Sequence, residues 1–206
     1  MNRAKLALIY IFHPLEAMDI IKRERTGLRI FPVVLMYSLA ICSRLFSMLI
    51  IHYPLSSFEQ GDINIALEIV KTNGLVLSWV IAAYAISSIM GGEARFLELF
   101  TASGYAYIPF IVLTPVIAGL SHFMSANDSV VYAVMQGVAI GWLVLGLLFS
   151  FIRQCDYGLG RVALVGSLSL VLMLLIWGLL ILLVALCGQA FSFLNDIREE
   201  IVLKWF

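Results

Sequence analysis

The sequence predicts an all-α, polytopic membrane protein: five transmembrane helices with flanking interfacial amphipathic helices. Three observations carry this. Hydrophobic residues fill 62% of the 206 positions and charged residues 13%, against roughly half and a quarter in ordinary soluble domains. Several apolar runs exceed the ~18 residues that a bilayer crossing needs. The Lys and Arg residues also gather on alternate connections, as they do in multi-pass proteins.

Three parts are expected: a cytoplasmic segment at 1–29 with an amphipathic helix, a five-helix membrane domain at 30–187, and an external amphipathic tail at 188–206. Arg3 and Lys5 precede only a short apolar run, Leu6 to Phe12, which His13-Pro14 stops without a small-residue cleavage site. No cleavable signal is expected. Pro14 suits a first helical position. In the helix from Leu15 to Arg25, Leu15, Met18 and Ile21 make an apolar stripe beside Glu16, Asp19, Lys22, Arg23 and Arg25. Such a helix lies in the headgroup plane or packs on the bundle. Asp19 and Arg23 stand at a spacing that allows a helix pair.

The first span is expected from about Ile30 to Ile51, with Arg44 two-thirds of the way across. A charge at that depth must line a cavity, face the bundle or snorkel to the interface. Residues 53–73 read as the longest polar connection, with a short interfacial helix on Ile63, Leu67 and Val70. The second span runs from Gly74 to Met90 and ends on Gly91-Gly92. Between Glu93 and Ser103, Phe96, Leu97 and Phe100 share a helical face opposite Arg95 and Glu98, which predicts another interfacial helix.

The third span, about Tyr105 to Met124, carries Pro109 and Pro115. Each proline leaves a carbonyl that a neighbour must satisfy. The fourth runs from Val130 to Ile152. There Ala133, Gly137 and Gly141 form a small-residue seam, expected to admit another helix of the chain or, alternatively, a second copy. Gln136 stands on a neighbouring face. The fifth span, Val162 to about Cys187, is long enough to tilt. Phe191, Leu194, Ile197, Ile201 and Leu203 give the tail an apolar face, with Trp205 and Phe206 as interface anchors.

Polarity follows from Lys and Arg alone. Nine lie on the side of the N-terminus (Arg3, Lys5, Lys22, Arg23, Arg25, Arg29, Arg95, Arg153, Arg161) and three on the other (Lys71, Arg198, Lys204). The N-terminus is therefore expected in the cytoplasm and the C-terminus outside. Zero formal net charge argues against a nucleic-acid partner.

Chemistry is sparsely signalled. Cys42, Cys155 and Cys187 match no zinc or redox spacing, and their odd number argues against a disulfide framework. His52 and His122 fall at one end of spans one and three, near Glu59, Asp62 and Asp128, but no two stand at ligand spacing. The chain has no Gly-x-Ser-x-Gly elbow, no His-Glu-x-x-His helix and no mid-span aspartate. No catalytic residue, metal or cofactor is expected. Arg44, Glu93, Arg95 and Glu98, with the broken third helix, are features that transport proteins use.

His13-Pro14-Leu15-Glu16-Ala17 followed by Ile21-Lys22, and Gly104-Tyr105-Ala106-Tyr107-Ile108-Pro109 at the third span, resemble motifs of the Yip1 domain family. The charged amphipathic segment before Gly104 adds to the likeness, which covers roughly residues 12–190. The Asp-Leu-Tyr-Gly-Pro motif of eukaryotic members is absent, so the likeness is to bacterial members. It implies five spans in the bacterial inner membrane, a cytoplasmic N-terminus and an external C-terminus. It also implies a non-enzymatic role organising membrane or partner proteins. The candidates for structure or function are then Arg44, Glu93, Arg95, Glu98, Gly104, Tyr105, Pro109, Gly137 and Gly141. The expected partners are the lipid bilayer and a second copy or another membrane protein. An accessory subunit of a transporter or export complex is the alternative.

Overall fold

A computed structural model describes residues 9–10, 13–23, 30–51, 64–155 and 157–205, and no strand occurs among them. Helix α1 (Pro14–Arg23) has Glu16 in its first turn and Lys22 and Arg23 in its last, signs that suit the helix dipole. Most of its apolar side is covered by the protein: Ala17, Met18 and Ile21 are buried against α7 (Ser129–Cys155) and α5 (Phe96–Ala106), whereas Leu15, predicted on the same stripe, is exposed. The buried Gln154 amide of α7 donates to the Met18 carbonyl at 3.2 Å, and Arg153 lies 3.8 Å from Asp19. Of the two readings of this helix, packing on the bundle is the observed one. Arg25, predicted to end the helix, lies outside the described residues.

Five helices are long and apolar enough to cross a membrane: Ile30–Ile50, Ile65–Ile89, Phe96–Phe123, Ser129–Cys155 and Gly160–Phe193. The first, α2 (Ile30–Ile50), and the fourth, α7, fall where the hydropathy puts them. The second starts earlier than expected. It is built of α3 (Ile65–Ile69), a π-helical turn at Val70–Gly74 and α4 (Leu75–Ile89). Asn64 caps it by accepting from the Leu67 amide at 3.2 Å. Residues 65–73 therefore belong to the membrane helix and not to a polar connection. Leu67 and Val70 are exposed on its first turns, while Ile63 lies outside the described residues.

The larger correction concerns α5. In isolation this segment reads as a surface helix with its polar side to water, yet Glu98, Leu99, Thr101, Ala102 and Ser103 are buried and Phe96 is exposed. Packing against α2, α4 and α7 turns that side inward. The segment continues through Tyr107 into α6 (Ile108–Leu120), so the third span begins at Phe96 and not near Tyr105. Pairs α2–α6 and α4–α8 flank this centre, where α8 is Leu159–Trp205. The helix α8 has no break at Gly188. The predicted fifth span and tail form one helix, and the predicted tail anchor Phe206 lies outside the described residues.

Three contacts close the bundle. The Trp177 indole of α8 rests on Gly74 and donates to the Ser78 hydroxyl at 3.0 Å. At one end of the bundle, Gly91 adopts a left-handed φ of +72°, and the Gly92 amide donates to the Ser87 carbonyl at 2.7 Å. The Tyr157 hydroxyl also donates to that carbonyl, at 3.2 Å, under the Arg161 guanidinium. Burial pushes the Tyr157 hydroxyl above its ordinary pKa, and the Cys155 thiol adds to the shift. Arg161 opposes it, but the net direction is upward. The hydroxyl therefore stays a donor at neutral pH.

Candidate functional site

The π-helical turn at Val70–Gly74 is where the site begins. A π turn widens the helix and misaligns its carbonyls. The Tyr107 hydroxyl, at the α5–α6 junction, donates to the Thr72 carbonyl at 2.6 Å, and the Asn73 amide reaches the Tyr37 carbonyl of α2 at 3.4 Å. One turn earlier stands Glu68, a carboxylate with only 7% of its side chain exposed. Two cations hold it. Arg44 Nε of α2 is 3.6 Å from one oxygen, and Lys71 Nζ is 3.3 Å from the other. Arg44, 28% exposed, thus lines a cavity and faces an acid across it. Burying a charge is tolerated when it is paired in this way.

This trio forms the polar end of a cavity of about 500 Å³. Thr72 and Tyr107 adjoin it, and the remaining wall is apolar. Val76 and Trp79 of α4, Leu143 and Leu147 of α7, and Met173 of α8 supply much of that wall. Helices α7 and α8 barely touch, and the cavity fills the gap. Ile140, Val144, Leu148 and Leu170 line it and are also exposed on the outer surface, so it opens sideways, where a membrane protein meets acyl chains.

The predicted candidates separate into distinct places. Glu93 and Arg95 are exposed at the start of α5, and Glu98 accepts from the Arg95 backbone amide at 3.2 Å. They stand at the opposite end of the bundle from Arg44, so the four charges do not form one site. Gly104 is a packing position: a Cβ there would come 2.9 Å from Val33 Cγ1 of α2. Tyr105 is buried, and its hydroxyl has no hydrogen-bond partner among the described residues. Pro109 stands in the first turn of α6, where its missing amide ends the ladder of α5. Pro115, inside α6, leaves the Ile111 carbonyl without its helical amide.

The small-residue seam of α7 does not admit another helix. Ala133 and Gly137 are exposed, and nothing lies within 4 Å of a Cβ built on Gly137 or Gly141. The close approach happens one face away, where Gly146 meets the Tyr10 hydroxyl and Ala106. Gln136 bonds within its own helix, to the Tyr132 hydroxyl at 3.1 Å. His122 is exposed on a short helical turn, and His52, Glu59 and Asp62 lie outside the described residues. Among the described residues no cluster of three or more metal-ligating side chains occurs.

Sequence reasoning missed Glu68 and Lys71 as members of a site. The signal for Glu68 was Arg44 itself: an arginine inside a span calls for an acid, and Glu68 follows on the next helix.

A family model for the Yip1 domain matches residues 8–187, most of the chain. The chain belongs to the Yip1 domain family. The match takes in α1 through the apolar part of α8, and so all of the Arg44–Glu68–Lys71 cavity lies within the Yip1 domain. It also takes in the His13-Pro14 and Gly104–Pro109 motifs that carry the resemblance. No curated protein and no solved structure matches the chain.

Proposed function

We propose that this Yip1 domain protein is a non-enzymatic component of the bilayer that organises membrane or partner proteins by binding them. The observation behind this reading is the cavity. Its one carboxylate is held between two cations, an arrangement suited to holding a ligand and poorly suited to a free base or nucleophile.

The excess of Lys and Arg at the α1 side supports a cytoplasmic N-terminus and an external C-terminus; the likeness of the His13-Pro14-Leu15-Glu16-Ala17 motif to bacterial members supports a bacterial inner membrane. A second reading, an accessory subunit of a transporter or export complex, is favoured by buried charge at bilayer depth. Affinity purification in mild detergent with mass spectrometry separates the two. Recovery of the chain alone, as a homo-oligomer with lipid, fits the organiser. Stoichiometric recovery of an ATPase or permease chain overturns it in favour of the subunit. Arg44→Ala adds a second arm: a subunit loses a flux, whereas an organiser loses mainly stability.

A further inference from the structure

The position of the charged trio in the bilayer says what the cavity is shaped to hold. Arg44 stands six residues from the end of α2, and Lys71 six residues from the start of the second span at Ile65. A connection joins those two helix ends, so they lie at one face of the membrane. At 1.5 Å per residue both cations sit about 9 Å inside that face. The apolar wall continues deeper, through Val76 and Trp79 on α4 to Leu147 on α7. The cavity is charged near one interface and apolar toward the midplane, which is the polarity of a lipid.

The charge is unbalanced. Two cations meet one carboxylate, and the Lys71 side chain is 54% exposed while the Glu68 side chain is almost wholly covered. Among the described residues, Glu68 is the one carboxylate paired with these two cations, which leaves one positive charge over. An anion with an apolar tail complements that excess, and the lateral opening between α7 and α8 lets the tail enter from the bilayer. A volume of about 500 Å³ falls in the range of roughly 300–1,000 Å³ typical of small-ligand sites.

We propose that the cavity holds one acyl chain of an anionic membrane phospholipid, with Lys71 and Arg44 taking its phosphate. The proposal rests on reading the cavity as a binding site and not a catalytic one. It is tested by reconstituting the full chain in bilayers of equal parts phosphatidylglycerol and phosphatidylcholine. The protein is then extracted into mild detergent, and retained lipid is counted by native mass spectrometry.

The expected result is a single retained lipid per chain, phosphatidylglycerol in preference to phosphatidylcholine. Lys71→Gln, at an exposed position, should lower its retention roughly fivefold, the worth of one Lys near a charged lipid surface. Val144→Trp, at the half-exposed mouth, should displace the lipid with the charges intact, and thermal melting of both variants checks that they fold. Equal retention of the two lipids, or retention unchanged in both folded variants, means annular lipid only and overturns the proposal. Association measured on the same preparations keeps the two readings apart. Intact association without lipid preference sinks the phospholipid alone; lipid preference without any association sinks the organiser alone.

Discussion

The Ser43 hydroxyl of α2 donates to the Ile111 carbonyl of α6 at 2.9 Å, the carbonyl that Pro115 strips of its helical amide. One helix thus repairs the backbone defect of another. Ser43→Ala should cost about 0.5–1.5 kcal/mol, in the range measured for hydrogen bonds between membrane helices. In a Pro115→Ala background an amide returns to Ile111, so the serine should matter less. Thermal or denaturant unfolding in detergent across the four proteins gives the coupling. Strict additivity would mean that the hydroxyl does not serve the proline.

The Arg44–Glu68 pair should behave as a buried pair does. Removing one partner strands the other charge. Arg44→Met should destabilise by about 1–3 kcal/mol, less than for a fully buried pair because the arginine is partly exposed. Glu68→Leu alone leaves two cations unopposed and should cost a similar amount. The double variant should be milder than either single one, as read from melting temperatures in one detergent.

Gly104 and the α7 glycines should respond in opposite ways. Gly104→Ala pushes a Cβ to 2.9 Å from Val33 Cγ1 and should cost about 1–3 kcal/mol by overpacking, with Val33→Ala restoring much of it. Gly137→Ala and Gly141→Ala meet nothing within 4 Å and should be neutral or stabilising by about 0.5–1 kcal/mol through helix propensity. A large loss at Gly137 or Gly141, with concentration-dependent melting, would instead mark that seam as a contact between copies.

Trp177 is the pin of α8. Trp177→Phe removes the donor to Ser78 and should cost about 0.6–1.7 kcal/mol. Trp177→Ala also empties the contact on Gly74 and should cost about 3–5 kcal/mol. Protease accessibility of the α7–α8 connection should rise in the alanine variant and little in the phenylalanine one.

Spans one and four were legible because each is a clean apolar run with little charge. The start of span two was not. Glu68, Lys71 and Asn73-Gly74 have the composition of a loop, and the partner arginine on α2, the Tyr37 carbonyl and the tyrosine at 107 make them tolerable inside a helix. The inward turn of α5 was hidden for a related reason. Glu98 and Arg95 against Phe96 and Phe100 read as an amphipathic surface, whereas the small residues Ala102, Ser103, Gly104 and Ala106 were the sign of close helix packing. At the cavity, one member of the trio was singled out from sequence. The other two needed the register between α2 and α3, which neither segment encodes alone.

The length of α8 has a mechanical consequence. Its 47 residues make a rod about 70 Å long, more than twice the ~30 Å of hydrocarbon it meets. It is fastened to α4 along its first half, with Trp177 near the end of that contact, and stands apart from α7 across the cavity. The arm beyond that fulcrum, 28 residues to Trp205, is about 42 Å long, so a 10° swing carries its tip roughly 7 Å. A bend at Trp177 is thereby magnified at the tip of the arm, as a small push at the pivot moves the end of an oar.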